Sequence, residues 1–410
     1  MPQKAMAAND TLNRARSGTG RYTIRQIVSH SDALIKELRD IAFDPDTDKQ
    51  LKRRYTITQV AEMIDRSPNS IRKAEASGEL PMPKLSEQGR RTGYTLAQVN
   101  QMREHFGVVP GRAPAEEPIR MAFQNFKGGV GKSTLCTHCS QYLAERGHRV
   151  LVIDCDSQAS TTTTFGIRPD IDLDEKDTLL PFFDGTQPDL SYAVRETYWD
   201  GLHIIPSNLA LYTAEYELAA SAGQTGPGWI DRLLEGIATI EGNYDVIIMD
   251  PPPALGMISL NVLRSANALI IPTPPAMYDF HSTVTFFRMM EDVLGSVERA
   301  VGQPLNYKFL KLLISKYDPG KSAQEFMVRM MGEHYTRHIL NAAVKDSAEI
   351  DNAGSDWRTV YELEKHTTSR ETYKRCVTSL NAVFREVELL IRSTWPSHQE
   401  RLEAEGHMVL

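Results

Sequence analysis

The sequence predicts an α/β protein: a mostly parallel, doubly wound sheet preceded by an N-terminal helix and a small, mainly helical unit. Three observations predict it. Six apolar runs, "IRMAFQNF", "RVLVIDCD", "LHIIPSN", "YDVIIMDPP", "ALIIPTPP" and "YKFLKLLISKYD", alternate with helical segments from residue 119 to about 395. Continuous apolar strands separated by helices build parallel sheets covered on both faces. The first run leads into the glycine-rich turn "KGGVGKST" and then a helix, the order in which a phosphate-binding loop is built. Residues 51–107 carry a different signature, of short capped helices rather than long apolar strands.

Size and composition set the outer bounds. A chain of 410 residues has room for about two or three domains. Its 41% hydrophobic and 24% charged content is that of an ordinary globular protein. No apolar run approaches the length of a membrane span, and "MPQKAMAANDTLNRARSG" lacks the core of a secretory signal, so a cytosolic location is expected. The net charge of −7 is unevenly spread: residues 1–118 hold 19 Lys+Arg against 15 Asp+Glu, a balance of +4, which leaves −11 for the rest. A basic first part on an acidic body points to a nucleic-acid contact in the first part.

Taken in order, residues 1–20 read as a disordered leader. Residues 21–50 place Ile24, Ile27, Val28, Leu34, Ile35, Leu38 and Ile41 at helical spacing. With little nearby to cover that stripe, a dimerisation helix is expected. Residues 51–107 form the small unit, and "VVPGRAPAEEP" (108–118) has the composition of a linker. The large domain spans 119–395, and residues 396–410 read as a flexible tail.

In the small unit, Thr56 followed by Gln59 makes a capping box, and Val60, Ala61 and Ile64 form an inner face. After the turn "DRS", Ser67 is an N-cap with Pro68 at the first helical position. Ile71 and Ala74 pack inward, and Gly78 ends the helix. Asn69, Ser70, Arg72 and Lys73 are left facing out, the side chains that read bases and phosphates from a groove. Arg90 and Arg91 precede "GYTLAQV", which reads as a wing and then a helix. Residues 54–106 thus resemble the winged helix-turn-helix of MerR-type regulators.

The loop "FQNFKGGVGKSTLC" carries a lysine at each end. Backbone N–H groups of Gly128, Gly129, Val130 and Gly131 would close on phosphates. Lys132 would reach the terminal phosphates, and Ser133 would offer its hydroxyl to Mg²⁺, with Thr134 beside it. The ordinary motif has glycine at position 126, which here is Phe126, and Lys127 stands next to it. A second cation aimed at the charge that builds during phosphoryl transfer would lower its energy. "VLVIDCDSQAS" brings Asp154 and Asp156 to the end of one strand, and "YDVIIMDPPPALG" brings Asp250 to the end of another. After Asp250, prolines and Gly256 form a loop able to respond to the γ-phosphate. Cys136 and Cys139 form a C-x-x-C on the helix after the loop, but no second pair sits nearby. Small buried residues are expected there rather than a zinc or redox site.

On the K-G-G-x-G-K-[ST] pattern the sequence resembles the deviant Walker A ATPases, and within them the ParA partition ATPases. Ser157 departs from the proline usual in that family's D-x-D-P-Q, while both aspartates and Gln158 remain. The resemblance implies that Lys127 crosses a dimer interface to the partner's ATP. It also implies that Asp154 and Asp250 support Mg²⁺ and its waters, and that Asp156 orients the attacking water. The turn with Pro272 and Pro274 is expected near the base and the dimer interface. The layout, from about 24 to 395, is that of the larger ParA proteins. It implies an ATP-dependent dimer that binds DNA without sequence preference, and a ParB-type centromere-binding partner that stimulates hydrolysis. It further implies repression of the protein's own operon in the ADP or apo state. Lys316, Lys345, Arg370, Lys374 and Arg375 are candidates for the non-specific DNA contact.

Two rival classes share the loop. A MinD-like membrane-positioning ATPase needs a basic amphipathic terminal helix, whereas "YKRCVTSLNAVFREVELLIRS" mixes Glu386 and Glu388 with its arginines. A nucleotide-responsive transcriptional regulator would use the ATPase only as a switch.

Overall fold

A computed structural model describes residues 20–42, 49–224 and 226–407. Residues 50–410 form one compact unit, and the segment up to Lys49 is a separate one. In the shorter segment, helix α1 (Gly20–Ala42) leaves Ile24, Ile27, Val28, Leu34 and Ile35 exposed. Among the described residues of that segment nothing covers the apolar stripe. The expected leader lies outside the described residues, apart from Gly20, and so do the side chains of Leu38 and Ile41.

In the larger unit, α2 (Ile57–Met63) and α3 (Pro68–Ala76) begin on the caps read from the sequence. Thr56 and Gln59 form a reciprocal capping box, and the Ser67 hydroxyl accepts from Ser70 N–H at 3.1 Å. A hairpin follows: Leu85 and Arg91 form an antiparallel bridge, and Gly89 turns the chain at φ +71°. A second antiparallel bridge joins Tyr55 to Tyr94, and α4 (Leu96–His105) closes the group. Val60, Ile64, Ile71, Leu96, Val99 and Met102 are buried together, as their helical spacing requires.

The sheet has seven strands: β1 (Ile119–Phe123), β2 (Val150–Asp154), β3 (Arg195–Glu196), β4 (Leu202–Ile205), β5 (Val246–Asp250), β6 (Ala268–Thr273) and β7 (Phe309–Ile314). Their order is β3-β4-β2-β5-β1-β6-β7, and all pairs are parallel except β3–β4. Each of the six apolar runs supplies one strand, and β3 is a two-residue addition. The central strands are buried on both faces, with one core against α5 (Lys132–Arg146) and α9 (Arg370–Ser393). The opposite core packs against α6 (Leu211–Gln224), α7 (Met257–Ser265) and α8 (Met277–Val301). Strand order reverses beside β1, so the crevice at its carboxyl end is where a doubly wound sheet takes ligands.

The small unit is fixed to this domain at the far end of α5. Arg103, buried on α4, donates to Glu145 O at 2.7 Å, and Arg53 pairs with the Glu145 carboxylate at 3.1 Å. Gly147, at φ +102°, leaves room for Arg103: a Cβ there would lie 2.7 Å from its Cδ.

Two segments differ from expectation. The 108–118 stretch is a packed strap, because Arg112 donates to the carbonyls of Tyr244, Glu241, Gly242 and Glu116. A guanidinium that donates to four backbone carbonyls holds a segment whatever its proline content. The predicted tail is folded as far as residue 407, with a helix at Gln399–Ala404 and Leu402 buried. His398 bonds to Gly111 O, and Arg392 meets both oxygens of Glu405 at 3.1 Å. Residues 408–410 lie outside the described set.

Candidate nucleotide site

The loop between β1 and α5 turns through Gly129 (φ +75°) and Gly131 (φ +96°), conformations that favour glycine. Asn125 anchors its start: its Oδ1 accepts from Lys127 N–H at 3.0 Å, and its Nδ2 donates to Pro272 O at 2.9 Å. Ser315, at the end of β7, donates to Val130 O at 3.0 Å. The loop encloses a cavity of about 450 Å³ lined by residues 128–135, Asp156, Gln158, Ser160 and Pro253. Its far wall is Ser315, Lys316, residues 344–347, Ile350 and Asp351.

Lys132 is buried at the loop's end, and its Nζ donates to Lys127 O at 3.3 Å. Burial lowers its pKa, opposed by the charges of Asp250 and Asp156. Lys127 does not enter the cavity. Its Nζ forms an ion pair with Asp279, in the first turn of α8. Asp279 was not singled out in the sequence, where nothing local links it to a lysine 152 positions earlier.

Asp154 and Asp250 are register partners at the ends of adjacent strands, and both are fully buried. Burial raises both carboxyls well above the ordinary range, and Asp250 pushes Asp154 further. Their surroundings differ. Asp154 is saturated: Oδ1 accepts from Asp156 N–H at 3.1 Å, and Oδ2 from the N–H and hydroxyl of Thr162 at 2.8 and 2.7 Å. Asp250 Oδ2 accepts from Thr161 at 2.7 Å, but its Oδ1 is buried with no hydrogen-bond partner among the described residues. The Ser133 hydroxyl is close enough to favour the charged form of Asp250. A buried carboxylate near that hydroxyl, with one oxygen unpartnered among the described residues, fits a hydrated Mg²⁺ at the loop, with Ser133 and Asp250 as the residues that would hold it. Asp154 instead braces the turn behind them. β2 stops at Asp154, so strand alternation does not carry to Asp156. The turn brings Asp156 to the cavity, with its Oδ1 accepting from Gln158 N–H at 3.0 Å.

Other expected contacts fall elsewhere. Pro272 and Pro274 are buried but do not line the cavity, since Pro272 lies within β6. Lys316 does line it, and Lys345 lines both it and a shallow groove of about 510 Å³ that also takes in Lys374 and Arg375. Arg370 is exposed at the start of α9, outside that groove's lining. On the small unit Asn69, Arg72, Lys73 and Arg90 are exposed and Ser70 half-buried. Arg91 instead braces the hairpin to α3, donating to Glu75 at 2.8 Å and to Tyr94 at 2.9 Å. The loop after Asp250 is also held: Glu215 on α6 accepts from Met257 and Ile258 N–H at 2.6 and 3.2 Å. All four cysteines are buried and free, and no group of three metal-ligating side chains occurs among the described residues. No described helix is long and apolar enough to cross a membrane.

Fold and loop together define a phosphate-binding-loop α/β protein of the deviant Walker A kind. Residues 119–301 match the AAA domain family model. Protein SopA of Escherichia coli K12 is 32% identical over 386 residues, covering 91% of this chain and 98% of that one. The chromosome partitioning protein ParA of Caulobacter vibrioides is 27% identical over 60% of this chain and 89% of its own. Among solved structures, a partition protein superposes with a TM-score of 0.63 at 21% identity, covering 90% of this chain and 98% of that one. The chain belongs to the ParA-type partition ATPases.

Proposed function

We propose that the protein is an ATP-dependent DNA-partition ATPase that separates plasmid or chromosome copies. The observation that carries the reading is the cavity closed by Gly128–Leu135, lined by Lys132, Ser133 and Asp156, with the buried Asp250 carboxylate close behind Ser133 and Lys132. ATP would lie with its phosphates on the loop N–H groups and the N-terminus of α5. Lys132 binds the terminal phosphates, and Asp156, free to accept on Oδ2, orients the attacking water. Bound Mg²⁺ would supply positive charge against the phosphate oxygens. Lys127 then leaves Asp279 to reach the nucleotide of a second copy, which makes pairing depend on the triphosphate.

The ATP-bound homodimer binds DNA without sequence preference, through the groove of Lys345, Lys374 and Arg375 with Arg370 nearby. A ParB-type centromere-binding partner stimulates hydrolysis and releases the DNA. In the ADP or apo state the small unit acts as a winged helix-turn-helix, with Asn69, Ser70, Arg72, Lys73 and Arg90 facing an operator. It thereby represses the protein's own operon. The protein works in the cytoplasm, at the nucleoid. DNA retention on random and on upstream-operon duplexes, with ATP, with ADP and without nucleotide, tests the cycle. Random duplex is retained chiefly with ATP and the operator chiefly without it. Equal retention of random DNA in all three states overturns the partition reading.

A further inference from the structure

At the far end of α5 from the nucleotide loop lies a second cavity, of about 700 Å³. It is walled by the small unit (Arg53, Met63), the end of α5 (Glu145, Arg146), α9 (Arg385, Glu388, Arg392) and the terminal segment (Arg401, Glu405). Its lining shares no residue with the nucleotide cavity. Five guanidiniums face three carboxylates, and the pairing is uneven. Arg53 takes Glu145 at 3.1 Å, Arg146 takes Glu388 at 3.4 Å, and Arg392 takes both oxygens of Glu405 at 3.1 Å. Arg401 shares Glu405 at 2.9 Å, and Arg385 has no ion-pair partner among the described residues.

We propose that this cavity binds a small diphosphate-bearing molecule. Once the three carboxylates are matched, two guanidiniums' worth of charge remains, and the concave shape of the site concentrates that field. Guanidinium is the side-chain group that grips phosphate oxygens in pairs. The volume lies inside the span of roughly 300–1,000 Å³ typical of small-molecule sites. Half-buried Tyr373 on the wall adds an aromatic side chain to the lining, suited to an organic group beside the phosphates. A duplex backbone is convex and does not enter such a hollow, so the occupant is a free small molecule. It would bridge the small unit and the P-loop domain at the point where α5 joins them.

The test titrates inorganic pyrophosphate calorimetrically into the full chain, with its nucleotide loop already saturated with ADP and Mg²⁺. A saturable event at one pyrophosphate per chain is expected. Arg385→Glu and Arg401→Glu each weaken it by about tenfold or more, the loss of a charge-assisted phosphate contact. Both side chains are exposed, so the fold should survive, and unchanged ADP affinity at the loop verifies that in the same experiment. Failure of ADP to bind would indict the nucleotide site, not this one. Absence of a second event at millimolar pyrophosphate overturns the proposal. So does a second event equally strong in both variants, and so does a loss of duplex DNA binding in those variants with pyrophosphate binding unchanged.

Discussion

The pairing of Lys127 with Asp279 sets up a competition that can be measured. For Lys127 to serve a second subunit's nucleotide, the ion pair within its own chain must open. Its partners are partly exposed, 37% for the lysine side chain and 24% for the aspartate. A pair in that setting is worth about 0.2–1 kcal/mol. A dimer opens two of them, so Asp279→Asn should favour ATP-dependent association by about 0.4–2 kcal/mol, a factor of about 2–30 in the dissociation constant. The same change removes a negative charge from the first turn of α8, at a cost of about 0.3–1 kcal/mol to that helix. The assay is sedimentation equilibrium with a slowly hydrolysed ATP analogue and, in parallel, with ADP. The expected result is a tighter dimer with the triphosphate and no change with ADP. If Asp279→Asn leaves association with the triphosphate unaltered or weaker while the chain stays folded, Lys127 is not held in reserve by Asp279.

Further outcomes are expected elsewhere. Asp156→Ala should retain ATP binding but lose hydrolysis by about 10²-fold or more, as for loss of a water-orienting group; phosphate release measured beside nucleotide affinity separates the two effects. Gly256→Ala should lower thermal stability by about 1–3 kcal/mol, because a Cβ 2.5 Å from Glu215 Oε1 would push that carboxylate off the Met257 and Ile258 N–H groups it accepts from. A melting curve unchanged from the parent would refute that contact. Burial pushes the Glu388 carboxyl up, but the His148 hydrogen bond and the Arg146 and Arg392 charges outweigh it and hold the pKa down to about 2. A depressed carboxyl stabilises the fold above its unfolded value of 4.5, and that contribution fades as pH falls from there toward 2. Denaturant titrations between those limits should show Glu388→Gln losing the parent's acid sensitivity in part.

The legible parts of the molecule were those whose chemistry is local. Six apolar runs gave six strands because a buried parallel strand needs nothing but an apolar run of the right length. The caps at Thr56 and Ser67 were readable because donor and acceptor lie three residues apart. Lys132, Ser133 and Asp250 met at one site because motif and strand end each fix their own residue. What depended on distant segments was hidden. The wall of the nucleotide cavity from 344 to 351 arrives through the packing of β7 and the chain after it. Pro272 sits within β6 and does not line that cavity. Arg91 reads as a free basic residue until Glu75 is folded against it. The strap at Arg112 and the folded end at His398 hold one another across almost three hundred residues, and composition alone made both look loose.

One helix belongs to both halves of the protein's business. The fifteen residues of α5 run from Lys132 to Arg146, a rod of about 22 Å, with phosphate chemistry at its head and the Arg103 and Glu145 joint at its foot. A rod does not bend to absorb a small displacement. Whatever tilts its head by an ångström is felt as leverage by residues 51–107, fastened to its foot through Arg53 and Arg103.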